Sequence, residues 1–249
     1  VLAGRGDDDL TPLSVDMKYA ELEKVGEALE NLMRRLRRKI ESERAFIQDA
    51  AHELRTPMAV ISTQAHVFAK AASAEARQQA GIVLDGAIAR ASHLTEQMLS
   101  LASVDRLREI ERTPLDVALH TQEMLAAIIP MAIERQIDLT LDAPESLIVA
   151  TNRMAFHSIV QNLVDNALRY GNAGGRVTVS LATQVDQLAL RVADDGPGIP
   201  ADERERVLDR FVRGKDQNTR GTGLDLAIVA QAARALGGRV EVADGIDGR

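Results

Sequence analysis

"FIQDAAHELRTPMAVI", residues 46–61, reads as a helix with one apolar stripe, yet it carries a histidine at its centre and a proline soon after. Ile47, Leu54 and Ile61 recur on strict sevens, and Ile40 and Phe68 extend the series in both directions. A repeat of that kind is the seam of helices that pack along their length. With Ile47 at position a, His52 falls on f, farthest from the seam, and is expected to face solvent. Glu53 is adjacent to it and can orient the ring or take its proton. Thr56 lies four residues on, so its hydroxyl shares that face one turn later. Pro57 removes one backbone donor and clashes with the carbonyl of Glu53, which costs about 3 kcal/mol inside a regular helix. The proline is therefore expected to weaken the helix beside His52. Spacing alone leaves His52 open between a reactive group and an inert surface side chain, since His66 also falls on f.

Upstream, Leu22, Val25, Leu29, Leu32 and Leu36 alternate steps of three and four, again an a/d seam. The next apolar residue is Ile40 rather than Lys39, so the seam shifts by a four-residue insertion, a stutter that locally unwinds a coiled coil. Arg34, Arg35, Arg37, Arg38 and Lys39 cluster there, either as a solvated flank or as a contact for anionic lipid. Downstream, Leu84, Ala87, Ala91, Leu94, Met98 and Leu101 mark a second helix, and "KAASAE" (70–75) reads as the turn between the two. The pair predicts an antiparallel helical hairpin. Two long helices with single apolar stripes bury them best by dimerising into a four-helix bundle.

Composition bounds the rest. The chain has 249 residues, 45% of them hydrophobic, which suffices for two packed domains. Aromatics make up only 2% and the net charge is -7, so base-stacking platforms and non-specific DNA binding are disfavoured. There is no cysteine, hence no disulfide frame and no thiolate metal site, and a reducing compartment fits. No apolar run reaches the roughly 18 residues a bilayer span needs, and no signal peptide is visible. Both ends look abrupt, as expected of a soluble fragment cut from a longer chain. Residues from about 17 to 105 are rich in Ala, Glu, Arg, Leu and Gln. From about 113 onward, helical patterns alternate with β-branched runs and glycine clusters, which predicts α/β or α+β structure. "ERTPLD" (111–116) is the expected linker, with Pro114 as the break.

In this second part the patterns predict helices at about 116–135, 153–169, 201–207 and 223–236. They predict strands at about 137–141, 146–150, 175–183, 186–194 and 239–243. "QNLVDNALRYGN" (161–172) closes one helix, with Phe156, Ile159, Leu163 and Ala167 as its apolar side. Asn162, Asn166, Arg169 and Tyr170 step along another face. Amide oxygens there suit a hard cation such as Mg²⁺ beside phosphates, or the row is merely a polar surface stripe. "VADDGPGIP" (192–200) follows a strand. Its glycines admit a ligand and Asp195 can accept from an exocyclic amine, although the same residues make a good turn. "RGTGLDLAIV" (220–229) places Gly221 and Gly223 before a helix, a phosphate cradle in which free N–H groups and the helix dipole face the anion. The spacing is neither a Walker loop nor a dinucleotide fingerprint. "RFVRGKDQNTR" (210–220) lies between and is a candidate lid.

Taken together these segments resemble the sensor histidine kinases of bacterial two-component systems. "HELRTP", "NLVDNALRY", "DDGPGIP" and "GTGLDLAIV" match that family's H, N and two Gly boxes in order and spacing, and "RFVRG" (210–214) resembles its F box. The likeness covers about residues 40–245. "LAGRGDDDLTPL" and the first heptads resemble, in part, the end of a HAMP signalling module. The resemblance implies three regions: a HAMP-like coiled coil (1–38), a dimerisation and phosphotransfer hairpin (39–112), and an α/β sandwich that binds ATP (113–249). It implies His52 as phosphoacceptor, Glu53 as its base or orienting group, and Thr56 as a group that positions water for dephosphorylation. Asn166 would ligate Mg²⁺ with Asn162 nearby, and Arg169 and Tyr170 would flank the nucleotide. Asp195, with Gly196 and Gly198, would read the adenine. Gly221, Thr222, Gly223 and Leu224 would present backbone donors to the phosphates, and Arg213 would belong to the nucleotide site as well. The implied partners are a second copy of the chain and the aspartate of a response-regulator receiver domain, with no direct nucleic acid. The implied location is the cytoplasmic part of an inner-membrane sensor, tied to the membrane only through segments absent from this chain.

Two features depart from the family pattern. The third glycine of the second Gly box is Asp225 here, a sound partner for a helix dipole but a like charge beside a triphosphate. The chain also stops at Arg249, where the family usually adds one more strand. The first departure raises a rival reading, a catalytically weakened dimeric relay or phosphatase. Another class, a gyrase-like or chaperone-like ATPase of the same ATP-binding fold, is opposed by the outward histidine of the H box.

Overall fold

The computed structural model describes residues 20–104, 112–184, 187–212 and 222–246. The chain divides into two compact units, Val1–Thr56 and Pro57–Arg249. Helix α1 (Ala20–Lys70) is continuous for 51 residues, with Pro57 inside it. The proline thus costs the helix one hydrogen bond without ending it.

In the first unit, the two seams expected of α1 are only partly covered. Leu29, Ile40 and Leu54 are half-buried. Val25, Leu32 and Ile47 stay more than 60% exposed in the single chain. A heptad face left in water is an unfinished core.

In the second unit, α1 ends at Lys70 and α2 (Ala74–Val104) begins after a three-residue turn, where the hairpin turn was expected. Ser73 starts α2 by accepting a hydrogen bond from the Ala76 amide at 3.1 Å. The buried side of α2 runs Ala80, Ala87, Leu94 and Leu101, on sevens, with Gln97 buried among them.

Two small sheets follow. Strand β1 (Thr113–Asp116) pairs antiparallel with β3 (Ile148–Thr151). Strand β2 (Asp138–Asp142) runs parallel to β4 (Arg176–Gln184), which pairs antiparallel with β5 (Gln187–Asp194). Helices α3 (Val117–Glu134) and α4 (Arg153–Tyr170) cover the larger sheet. Alternate residues of β4, Val177, Val179 and Leu181, point into the core. They meet a ridge of α4 that repeats every four residues: Phe156, Val160, Val164 and Leu168. Asp116 starts α3 by accepting from the amides of Ala118 and Leu119, and its carboxylate also takes Ser146 Oγ and the Leu147 amide. One side chain thereby ties the helix start to the loop before β3. Asn152 starts α4 in the same way through the Ala155 amide.

Four expectations need correction. The linker around Pro114 is strand β1, because the proline sits in a short two-stranded pair rather than a central strand. Residues 201–207 are mostly a turn, with one 3₁₀ turn at Arg206–Leu208. On α4, Phe156 and Ala167 lie in the core as expected, but Val160, Val164 and Leu168 join them there, while Ile159 packs toward Ala232 of helix α5 (Asp225–Ala235). Residues 239–243 form no strand. "RVEVA" alternates as a strand should, but β-propensity needs a neighbour to pair with, and no described strand lies beside it.

Candidate functional site

His52 lies on the exposed side of α1, as its f position requires, and Glu53 and Thr56 are exposed as well. The Arg55 guanidinium stands 3.4 Å from His52 Nδ1.

In the second unit, three chain segments converge around the C-terminal end of α4. The first is α4 itself. Its polar row splits in two. Asn162 donates to the Ser158 carbonyl at 2.7 Å, and Ser158 Oγ lies 3.4 Å from Ser100 Oγ of α2. Arg169 reaches His93 of α2, with 3.4 Å between Nη2 and Nε2. Ser158, Asn162 and Arg169 therefore line the side toward α2. Asn166 and Tyr170 lie one residue further round and are half-buried.

The second segment is the turn after β5. Asp194 Oδ1 accepts from the Gly196 amide at 2.9 Å. Burial pushes the Asp194 carboxyl above the usual carboxylate range, the Gly196 amide pulls it back, and the charge of Asp195 pushes it further up. Gly196 is buried, and a Cβ there would come within 2.8 Å of the Tyr170 carbonyl and within 2.7 Å of Asp194 Oδ1. Only glycine lets this turn lie against the end of α4. Asp195 has different work. Its two oxygens accept from the amides of Asn172 (3.4 Å) and Arg176 (3.0 Å), which tie the α4–β4 loop to this turn. The side chain chosen from sequence as the adenine reader is thus engaged with backbone amides of the α4–β4 loop and the start of β4. The neighbouring Asp194, which sequence reasoning passed over, is the half-buried acid at the mouth of the turn. The D-x-G-x-G spacing that starts from Asp194 was the signal available.

The third segment is the entry to α5. Gly223 has φ +69°, and a Cβ would fall 2.8 Å from the Val212 carbonyl. The Phe211 amide donates to the Gly223 carbonyl at 2.9 Å, and Phe211 itself sits at φ +60°. A bulky residue in that region costs about 1–2 kcal/mol, so the F-box segment is held there by its contact with the Gly box. Thr222 Oγ1 accepts from the Leu224 amide at 3.3 Å and donates to Gln97 Oε1 of α2 at 2.6 Å. Leu224 is fully buried. Arg213 and Gly221 lie outside the described residues, as does most of the candidate lid.

Asp225 opens α5 and is buried. Its carboxylate lies 3.6 Å from Arg169 Nη1 and accepts a short hydrogen bond from Gln97 Nε2. Burial raises it above the usual carboxylate range, against the pull of Arg169, His93 and Gln97. Asp165, on the same side of α4, is also raised by burial, while Arg169 and His93 pull it down. Asp225 thus takes the place at a helix N-terminus that favours an anion.

A helical hairpin segment bearing an outward histidine, joined to an α/β domain with a glycine-lined helix entry, is the architecture of two-component signalling proteins. The chain belongs to the sensor histidine kinases. Residues 42–107 match the family described as "His Kinase A (phospho-acceptor) domain". Residues 151–248 match "Histidine kinase-, DNA gyrase B-, and HSP90-like ATPase". Over 256 residues the chain is 33% identical to the swarming motility regulation sensor protein RssA of Serratia marcescens, covering all of this chain and 53% of that protein. It is 32% identical to the sensor protein kinase PmrB of Pseudomonas aeruginosa, covering 96% of this chain and 50% of that one. The chain thus spans about half the length of these curated relatives. Among solved structures, the Acinetobacter baumannii histidine kinase AdeS shares the fold at TM-score 0.56 and 23% identity, over 74% of this chain and 86% of that one. Among the described residues, no helix is long and apolar enough to cross a membrane.

Proposed function

We propose that this chain is the kinase part of a two-component sensor, which phosphorylates His52 from ATP and passes the phosphoryl group to an aspartate of a receiver domain. The observation that carries this reading is His52 itself: an exposed imidazole, on the far side of a heptad seam, within the segment that matches a phospho-acceptor domain. In the step proposed, the lone pair of the unprotonated ring nitrogen of His52 forms a bond to the γ-phosphorus of ATP and the bond from that phosphorus to the β–γ bridging oxygen breaks. ADP leaves with the electron pair, and the proton on the other ring nitrogen passes to Glu53 or to water. Such a transfer needs mainly positioning and charge neutralisation. Thr56, one turn from His52, is the group proposed to position water when the chain removes phosphate from its partner.

In the second unit, the half-buried Asp194 is assigned to the adenine amine in preference to Asp195, whose oxygens are already taken by backbone amides. Tyr170, Gly196 and Gly198 flank it. Thr222, Gly223 and Leu224, with Arg213 and Gly221 beyond the described residues, are assigned to the phosphates. Asn166 is assigned to Mg²⁺. Among the described residues there is no group of three acidic, His or Cys ligands that could cage a metal. A single amide oxygen suits Mg²⁺, which keeps most of its waters and arrives with the phosphates. When bound, Mg²⁺ neutralises charge on the phosphate oxygens.

The bounds 1–38, 39–112 and 113–249 are carried forward as the regions of this sensor, with residues 1–19 of the HAMP-like part outside the described set. The apolar heptad face of α1 supports a homodimer. A cytoplasmic position, with membrane attachment through other parts of the full protein, completes the reading.

The test is incubation with γ-labelled ATP and Mg²⁺. Acid-labile, base-stable label is expected, and its disappearance in His52→Gln. Nucleotide binding with no label on His52 would sink the kinase reading in favour of the relay or phosphatase.

A further inference from the structure

We propose that Gln97 and Asp225 form a latch that holds α2 on the turn entering α5, and that nucleotide phosphate opens it. The inference rests on the reading of that turn as a phosphate cradle.

Gln97 is 4% exposed on a face of α2 that is otherwise apolar, between Leu94 and Leu101. A buried amide needs partners for both its oxygen and its nitrogen. Both come from one turn: Thr222 Oγ1 donates to Gln97 Oε1 at 2.6 Å, and Gln97 Nε2 donates to Asp225 Oδ1. One side chain of α2 therefore reads both ends of the four residues that lead into α5. His93, one turn earlier on α2, reaches the same acid indirectly through Arg169, and Gln231 of α5 donates to the Leu101 carbonyl at 3.2 Å.

The latch and a phosphate make the same demands. A threonine hydroxyl has one proton, and while it is given to Gln97 it is not available to an anion. The start of α5 favours one negative charge, and Asp225 already supplies it. A phosphate brought to the cradle thus competes for the donor and meets a like charge, so binding is coupled to release of α2. Such coupling is reciprocal: the factor by which losing the latch tightens nucleotide is the factor by which nucleotide loosens the latch.

The test uses the whole chain with a fluorescent ATP analogue and Mg²⁺, read by affinity and by hydrogen exchange of the α2 amides around residues 93–101. Gln97→Met keeps the side-chain size and removes both hydrogen bonds, and Gln97 is not among the residues assigned to the nucleotide. Gln97→Met is expected to tighten nucleotide by about fivefold or more, the lower end of usual site-to-site coupling. Adding nucleotide to the unaltered chain is expected to speed exchange in α2, and to do so far less in the variant. Unchanged or weaker affinity in a folded Gln97→Met variant, or α2 exchange indifferent to nucleotide, overturns the latch. A chain that behaves as expected here but never labels His52 supports the latch while sinking the kinase reading. Nucleotide that binds neither the unaltered chain nor the variant overturns both.

Discussion

Arg169, in the last turn of α4, holds its guanidinium 3.6 Å from the carboxylate of Asp225 at the first turn of α5. Asp225 is buried while Arg169 is one-third exposed. Removing the cation leaves a buried acid without its ion-pair partner, so Arg169→Ala is expected to cost about 1–3 kcal/mol, below the range for a fully buried pair. Urea denaturation measures it. The double variant Arg169→Ala with Asp225→Asn should recover most of the loss, because the stranded charge is gone. A loss that persists in the double variant would show that Arg169 acts through packing.

The raised pKa of Asp225 has a fixed sign in stability. The folded chain holds that proton more tightly than the unfolded chain, whose value is near 3.8. Its contribution is therefore complete below that value and is lost as pH rises through the folded value. Asp225→Asn lacks this loss. Its stability relative to the unaltered chain should climb from pH 3.8 upward and level off above the folded value. Denaturation at a series of pH values checks it, and a difference that shrinks with rising pH contradicts the assignment.

Asp194 and Asp195 should separate by function. Asp194→Asn is expected to weaken ATP-analogue binding about tenfold or more, since an amide cannot accept in the same way at both positions. Asp195→Ala should lower stability by about 1–2 kcal/mol, through two lost backbone contacts, with a much smaller effect on nucleotide. Titration calorimetry and thermal melts on the two variants decide it.

The exposed heptad residues of α1 make a prediction about assembly. Leu32 is 61% exposed in the single chain. If a second copy covers it, Leu32→Glu should shift sedimentation from dimer to monomer while leaving the circular dichroism of the α/β domain unchanged. A monomer before substitution would refute the covering copy.

Much of this was readable in the chain. The sevens through Ile47 and Leu54 located α1 and turned His52 outward, because a heptad sets side-chain direction as well as helicity. The α4 and α5 patterns located those helices too, although the buried ridge of α4 includes Val160, Val164 and Leu168, which the expected apolar side left out. What failed depended on partners distant in sequence. "RVEVA" has strand propensity but no described neighbour. Asp194 and Asp195 are identical in type, and only the fold decides which meets the Asn172 and Arg176 amides. Gln97 carried a signal that was missed, a polar residue on the apolar stripe of α2, but its two partners are more than a hundred residues away.

The shared amide of Gln97 also bears on building hybrids. An engineer who grafts an ATP-binding domain onto a foreign sensing helix usually cuts at the linker, here between residues 104 and 113. That cut leaves Asp225 on one side and Gln97 on the other. Joined to a helix with leucine in place of Gln97, the graft would fold around a carboxylate stripped of its amide. Residues 97, 222 and 225 are best moved as one unit, though no stretch of chain contains them.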